Sequence, residues 1–297
     1  MHSLNPAKRK IKSKEKTKII ADLRQNYKLT LLLEIANLPR SIFYYHLNRL
    51  SKPDKYEQIK DSIQEIYESS KGRYGYRRVT LALNNKGFRI NHKTVQKLMR
   101  ELGIICQVRI KKYKSFKGEV GKIAKNLLKR NFTANKPLEK CATDITEFSL
   151  FGRKLYLSPI IDLYNGEILS YEISERPILP QVITMLDKLK HTHKNLESMI
   201  LHSDQGWQYQ HKSYQNRLKE YGIKQSMSRK GNCLDNAVIE NFFGLLKSEL
   251  LYLGDFYNLD HFKRELEEYI RWYNEDRIKS KLRGMSPIQY RTQFLIA

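Results

Sequence analysis

The apolar residues of this chain change their period once, near Pro137, and that change limits what each half can fold into. Before it they recur every three or four residues: Ile19, Ile20, Leu23 and Tyr27 in 15–27, Ile59, Ile63, Ile66 and Tyr67 in 54–70, Val95, Leu98, Met99 and Leu102 in 92–103. Such spacing gathers side chains on one face of a helix. After it, CATDITEFSL (141–150) and KLYLSPIIDLYNGEILSYEIS (154–174) read as strands, with turn signals at Phe151-Gly152 and Asn165-Gly166. A helix over 179–193, a strand over 198–204, a helix over 211–222, a strand over 223–228 and a long helix over 236–253 follow. Consecutive strands and then alternating helices and strands predict a mixed α/β domain around one sheet, preceded by all-α units.

Within the helical half, LTLLLEIANL (29–38), a turn at Pro39-Arg40 and SIFYYHLNRL (41–50), with Ser41 as N-cap, form either a helix-turn-helix or a plain helical hairpin. A second helical unit runs over 54–105: the joint KGRYGYRR (71–78), a helix stopping at Gly87, and a helix capped by Asn91. Its last helix turns His92, Lys93, Gln96, Lys97 and Arg100 outward, a face suited to phosphates and base edges. Arg73, Arg77 and Arg78 form a phosphate-binding cluster, beside which Tyr74 and Tyr76 either join or pack inward. Residues 106–135 interleave Tyr113 and Phe116 with nine Lys and Arg. They read as a basic linker, lying along a phosphate backbone or serving as a solvated tether. The expected organisation is therefore 1–52, 54–105, the linker 106–135, and a catalytic core with a helical tail over 136–297.

Charge follows the same division. Residues 1–135 hold 32 Lys+Arg against 10 Asp+Glu, and residues 136–297 hold 23 against 21, so nearly all of the net +24 lies in front. An excess of that size in one half is costly in self-repulsion unless a polyanion neutralises it, and nucleic acid is the first candidate. No apolar run approaches the roughly 18 residues of a membrane helix, and no apolar segment follows the basic start as in a secretory signal. Cys106, Cys141 and Cys233 make neither a disulfide framework nor a zinc spacing. A reduced, intracellular protein is expected.

In the near-neutral half, three acids sit where chemistry can use them. Asp144 lies in the apolar first strand, where burial is expensive without a cation or hydrogen bonds. Asp204 ends a later strand, at the sheet edge where α/β sites open. Glu240 lies one turn into the long helix, on the face it shares with Gly244 and Lys247. Three converging hard carboxylates suit two Mg2+ or Mn2+ ions, the arrangement that serves in-line phosphoryl displacement.

With 35 residues between Asp204 and Glu240, and Lys247 seven beyond, the pattern resembles the D,D-35-E signature of the retroviral-integrase-like superfamily. KGRYGYRRVTLAL (71–83), TDITEF (143–148), HSDQGWQY (202–209), GNCLDNAVIENFFGLLKSEL (231–250) and WYNEDRIKSKLRGMSPIQY (272–290) narrow the resemblance to one branch. They are similar to the catalytic protein of bacterial insertion sequences whose transposase is encoded in two overlapping frames, over about residues 18–292.

The resemblance implies an RNase H-like core, a mixed five-stranded sheet flanked by helices. It implies metal-dependent cleavage at the ends of the element and strand transfer by the freed 3′-OH. Asp144 and Asp204 would bridge two Mg2+ (or Mn2+) ions, Glu240 would hold the second, and Lys247 would touch DNA. Implied partners are double-stranded DNA (terminal repeats and target), the upstream-frame protein as fusion or partner, and further copies of the chain on DNA. No membrane is implied, and the place is the bacterial cytoplasm, at the nucleoid. No leucine zipper is found in residues 1–297, so the downstream product alone is expected; the zinc module of retroviral integrases is likewise missing.

Smaller signals stay open at this stage. Trp207 either stacks on a base at the cut end or plugs the core edge. Asn232 and Asn236 are expected to cap the catalytic helix, with a DNA contact as the second reading. His202 is expected to pack within its strand. Arg277, Lys279, Lys281 and Arg283 touch either DNA or the core. Two competing functions are a non-catalytic helix-turn-helix regulator and an RNase H-like nuclease that cuts without joining.

Overall fold

In a computed structural model, which describes residues 12–50, 54–108, 123–229 and 233–296, helices give way to strands beyond Pro137. The leader up to residue 11, Ser51-Lys52-Pro53, the stretch 109–122 with Tyr113 and Phe116, and Asn232 lie outside the described residues. The chain divides into two units, Met1–Asp61 and Ser62–Ala297.

In the first unit, α1 (Ser13–Leu23), α2 (Leu29–Ile35) and α3 (Arg40–Leu50) close around Ile20, Leu33, Leu38 and Phe43. The buried stripe of α1 is narrower than its spacing predicts: Ile20 is covered, while Ile19, Leu23 and Tyr27 remain exposed. Asn37 takes the left-handed conformation (φ 46°) that reverses the chain after α2, and Lys16 Nζ donates to the Ala36 carbonyl at 2.6 Å. That bond satisfies a carbonyl the helix end leaves open. Helix α3 starts at Arg40, so Ser41 lies in its first turn rather than at its cap.

The second unit begins with helical packing. Along α4 (Glu57–Ser69) Ile63 and Ile66 are buried, along α5 (Tyr76–Asn85) Val79 and Leu83, and along α6 (His92–Glu101) Val95, Leu98 and Met99. Asn91 caps α6 as expected, its side chain accepting from Lys93 N at 2.8 Å, and Gly87 (φ 91°) ends α5.

The sheet follows as β1 (Lys140–Thr143), β2 (Thr146–Leu150), β3 (Arg153–Asp162), β4 (Ile168–Ser174), β5 (Ile200–Ser203) and β6 (Lys224–Met227). Thr143 pairs with Ile160 and Thr146 with Leu157, so β1 and β2 run in one unbroken antiparallel register along β3. They are a single strand position, interrupted at Asp144-Ile145. Six strands thus fill five positions, β4-β3-β1/β2-β5-β6, with β5 and β6 parallel to β1. Phe151 and Gly152, both at positive φ (53° and 69°), make the two-residue hairpin turn between β2 and β3.

Alternation along the strands fills both faces. Cys141, Ile160 and Leu169 pack with α7 (Leu179–Thr192) and with α9 (Lys212–Glu220), which follows the short α8 (Trp207–Gln210). Their neighbours Ala142, Ile161 and Ile168 pack with α10 (Ala237–Leu246) and α11 (Leu259–Glu275). Helix α10 buries Ile239, Phe242, Phe243 and Leu246, an i, i+3, i+4, i+7 stripe. Each such side chain contributes roughly 1.5–3 kcal/mol, which fixes the helix against the sheet. This is the expected RNase H-like architecture. A closing helix, α12 (Pro287–Ile296), follows. The end of the basic linker is no tether: Leu127 N donates to Ser226 Oγ at 2.9 Å, Leu128 is buried, and Asn126 and Arg130 both reach Asp235.

Candidate active site

Asp144 sits in the gap between β1 and β2. The continuous register would set it opposite Pro159 of β3, and a proline has no N–H to give the ladder. The backbone therefore opens there, and the carboxylate turns to local partners. Oδ1 accepts from Ile145 N at 2.7 Å and Oδ2 from Asn236 Nδ2 at 3.2 Å. Asp204 follows β5, beside β1 in the parallel part of the sheet. Its Oδ1 accepts from Gly206 N at 2.8 Å, and a Cβ on Gly206 would lie 2.9 Å from that same oxygen. Only glycine lets the backbone approach so closely. Glu240 stands in the first turn of α10.

The three acids act on one another. Burial pushes Asp144 well above the usual carboxylate range, and the charges of Asp204 and Glu240 add to it. Burial also raises Asp204, and raises Glu240 together with the charge of Asp204. For Asp144 and Asp204 these causes outweigh the hydrogen bonds from Ile145, Asn236 and Gly206 that favour the ionised form. Among the described residues no three His, Cys, Asp or Glu side chains gather closely enough to ligate one ion together.

Asn236 does something other than its expected task. Its side chain makes no cap bond to α10; it reaches back to Asp144, and its Oδ1 is buried with no partner. The turn before α10 is held instead by Asp235, whose carboxylate receives Arg229 Nε and Nη2, Arg130 Nε and Asn126 Nδ2. Hydrogen bonds from Arg229 lead the causes that depress this carboxylate, outweighing its burial. His202 is buried in β5 with Nδ1 2.8 Å from Ser226 Oγ, a packing role as expected.

The expected DNA-contacting residues part into two sets. Arg77, Lys93, Lys97 and Arg100 are exposed, and Trp207, 48% exposed, does not plug the core. Lys247 is half buried, with Nζ 5.8 Å from the centre of the Phe148 ring, and burial lowers its pKa. Arg73 and Arg78 depart from expectation. Arg73 is buried, its Nε donating to the Glu249 carbonyl at 3.0 Å and its guanidinium lying over Trp272 and Tyr269. Arg78 Nη1 stands 3.5 Å from Glu249 Oε1. Glu249 is buried and demands cations, which draws Arg73 into the interior, while Arg78 faces the same carboxylate and stays partly exposed. Tyr74 also packs inward, its OH donating to the Asp276 carbonyl. In the tail, Arg277 and Lys279 turn into the core while Lys281 and Arg283 stay exposed.

Residues 134–233 and 240–295 match the Integrase core domain, and residues 54–113 match an HTH-like domain. The transposase InsK for insertion sequence element IS150 of Escherichia coli (strain K12) is 56% identical over 93% of this chain and 98% of its own length. The chain belongs to the insertion-sequence transposases. A transposase for element IS1353 of Shigella flexneri is 37% identical over 97% of this chain and 56% of its own. Among solved structures, the HTLV-2 integrase catalytic core domain in complex with magnesium is similar over 53% of this chain and 98% of that one, at 17% identity and a TM-score of 0.43. In this transposase the two integrase segments hold Asp144 and Asp204 in one and open on Glu240 in the other. A regulator without catalysis is the reading that membership displaces. No described helix is long and apolar enough to cross a membrane.

Proposed function

We propose that this transposase cuts DNA at the ends of its element and joins the freed 3′-OH to target DNA, using Asp144, Asp204 and Glu240 to hold two divalent cations, Mg2+ or Mn2+. The observation that carries this reading is the gathering of three partly covered carboxylates near enough that the charges of Asp204 and Glu240 act on Asp144 and that of Asp204 acts on Glu240, with Asn236 tying the start of α10 to Asp144. The donor set fits such ions: hard oxygens, plus the unpartnered buried Oδ1 of Asn236 beside Asp144. Two ions held by pairs of carboxylates need no cluster of three on one ion. Bound there, the ions would neutralise the acids and stabilise charge on the attacking and leaving oxygens.

The chain's own residues then supply position. Asn236 orients Asp144, Gly206 orients Asp204, and the buried stripe of α10 fixes Glu240. In cleavage a water oxygen bonds to phosphorus as the P–O3′ bond breaks, leaving a 3′-OH. In joining that 3′-OH attacks a target phosphodiester, and the target's 3′ oxygen leaves. Lys247 and Trp207 would contact the end being cut, and Arg77, Lys93, Lys97 and Arg100 the neighbouring duplex, at the chromosome. The upstream-frame protein, as fusion or partner, belongs to the same reading. Cutting two ends and joining both favours more than one copy on DNA.

The test is cleavage and strand transfer on duplexes carrying the terminal repeats, with Mg2+. Asp144→Asn, Asp204→Asn and Glu240→Gln should each abolish both steps while retaining end binding. Variants that still cut would sink the assignment. Cutting by the native chain without joining of a precleaved 3′-OH end would favour the nuclease.

A further inference from the structure

The helix that carries Glu240 does not stop at Leu246. It runs straight into a π-helical turn, Lys247–Leu251, so Glu240 and Glu249 stand on one continuous rod, about 13 Å apart along its axis. A π turn inserts a residue into the helical register and is a recurrent mark of functional helices. Here Glu249 points inward and is almost completely covered. Its Oε1 accepts from Arg277 Nη2 at 2.6 Å, and its Oε2 from Arg277 Nε at 2.8 Å and Tyr269 OH at 2.9 Å.

The second set of bonds to Glu249 comes from the helical region that matches the HTH-like domain. Arg73, from the joint between α4 and α5, donates to the Glu249 carbonyl, and Arg78, on α5 itself, faces the carboxylate. Arg73 is also held by aromatic rings: its guanidinium lies 4.6 Å from the Trp272 ring centre and 5.3 Å from that of Tyr269. Tyr74, next in sequence, accepts from Ile278 N at 3.0 Å. Clefts of about 210 and 230 Å³ both border Arg73.

We propose that Arg73 and Glu249 are positioning residues for catalysis, a link through which the HTH-like helices, when DNA lies on the Lys93–Arg100 face of α6, set the helix that carries Glu240. This rests on the reading of Glu240 as a catalytic carboxylate. DNA on α6 would steady α5 and the joint, Arg73 would hold the π turn, and the rod would deliver Glu240 toward Asp144 and Asp204. Cutting would thereby depend on the end being bound, through atoms that touch neither DNA nor the reacting phosphorus.

The test uses the full chain with Arg73→Met, which keeps side-chain length and leaves Glu249 paired with Arg277. Hydrogen exchange of residues 237–251 is followed with and without a terminal-repeat duplex, in the absence of metal. Cleavage is then measured in single turnover with Mg2+ at saturating duplex. The native chain should show slowed exchange over 237–251 on binding. Arg73→Met should bind the duplex within about twofold of native, lose that slowing, and cut about 10- to 100-fold more slowly, the scale set by misplacing a reacting group. Native exchange and native cleavage rates in Arg73→Met, with only a lowered unfolding temperature, would overturn the link. Arg78→Gln, which removes only the outer contact, should move both readouts the same way by less and serves if Arg73→Met fails to fold; native values in it would then overturn the link. A Glu240→Gln chain that still cuts refutes the active-site assignment, whereas an inert Glu240→Gln beside an unaffected Arg73→Met refutes this inference alone.

Discussion

Two sets of carboxylates stand at the two ends of one helical rod and meet burial in opposite ways. At its start, burial drives Asp144, Asp204 and Glu240 upward, with the charges of Asp204 and Glu240 adding to the rise of Asp144 and that of Asp204 to the rise of Glu240. At its end, burial also pushes Glu249 up, but the hydrogen bonds and charge of Arg277, with Arg78 and Tyr269, outweigh it and hold Glu249 below its usual value. Glu240 and Glu249 share residue type and helix; the difference is that Arg277 and Arg78 face Glu249, while burial and the charge of Asp204 act on Glu240. A protein built only for stability would treat both ends alike, since an uncompensated buried charge is among the most destabilising features a fold can hold. On the proposed reading, the end with Asp144, Asp204 and Glu240 is where cations from outside would bind.

The largest effect that would break this comparison is catalytic. Neutralising any one of Asp144, Asp204 or Glu240 (Asp→Asn, Glu→Gln) should lower cleavage by on the order of 10⁴-fold, as for members of other catalytic sets. The same substitutions should raise the unfolding temperature of the metal-free chain at neutral pH, because they remove repulsion. Added Mg2+ should raise it for the native chain and less for the variants. Loss of stability in all three would mean that they are structural acids like Glu249.

At the other end the expected sign reverses. Glu249→Ala leaves Arg277 buried and unpaired and should cost about 3–5 kcal/mol in denaturant unfolding. The double replacement Glu249→Met with Arg277→Met should recover most of that loss, since two apolar side chains need no pairing. If the double variant is as unstable as the single, the pair is doing something other than matching charge.

The pH dependence sharpens the contrast further. Glu249, depressed in the folded chain, contributes stability that is present above the unfolded carboxylate range and is lost as pH falls through its lowered folded value. The site acids, raised in the folded chain, do the reverse: stability declines as pH climbs from the unfolded range through their raised values. Glu249→Gln should flatten the acid limb of a stability–pH curve, and Asp144→Asn the limb approaching neutrality. These differences are read from unfolding midpoints in metal-free buffer.

What was legible in the sequence follows the range of each interaction. The strands, the helices and the three acids announce themselves through local period and fixed spacing, and Asn91 and Gly87 act where local rules put them. The surroundings of Arg73 and Arg78 are not legible, for the opposite reason. An Arg-rich joint reads the same whether its charge meets phosphate or a buried carboxylate, and the deciding partner, Glu249, lies more than 170 residues away. Asn236 is a nearer case: a cap by rule, it is claimed by Asp144, 92 residues earlier, because the break in the strand leaves that carboxylate short of donors. The break itself becomes intelligible only with the register known, since Pro159 matters through the residue it faces.

Lys279 offers the smallest test, with the sign of charge inverted. Its Nζ is enclosed, donating to the Gly166 carbonyl at 3.0 Å and to Tyr273 OH at 2.9 Å. Burial, then the charges of Arg277 and Arg78, push the amine down to about 7. The unfolded chain therefore holds more protons than the folded one between about pH 7 and the usual lysine value near 10.4. Stability should rise with pH across that window, because ∂ΔG/∂pH is positive wherever the unfolded state binds more protons. Below pH 7 the folded chain carries the full cost of an ionised, enclosed amine. Lys279→Met should remove this slope, so that the native midpoint gains on the variant's as pH is raised from 7 to 9. Parallel profiles would show that the amine stays charged in place, and that the core near the Asn165-Gly166 turn tolerates an unneutralised cation as the active site does not tolerate its anions.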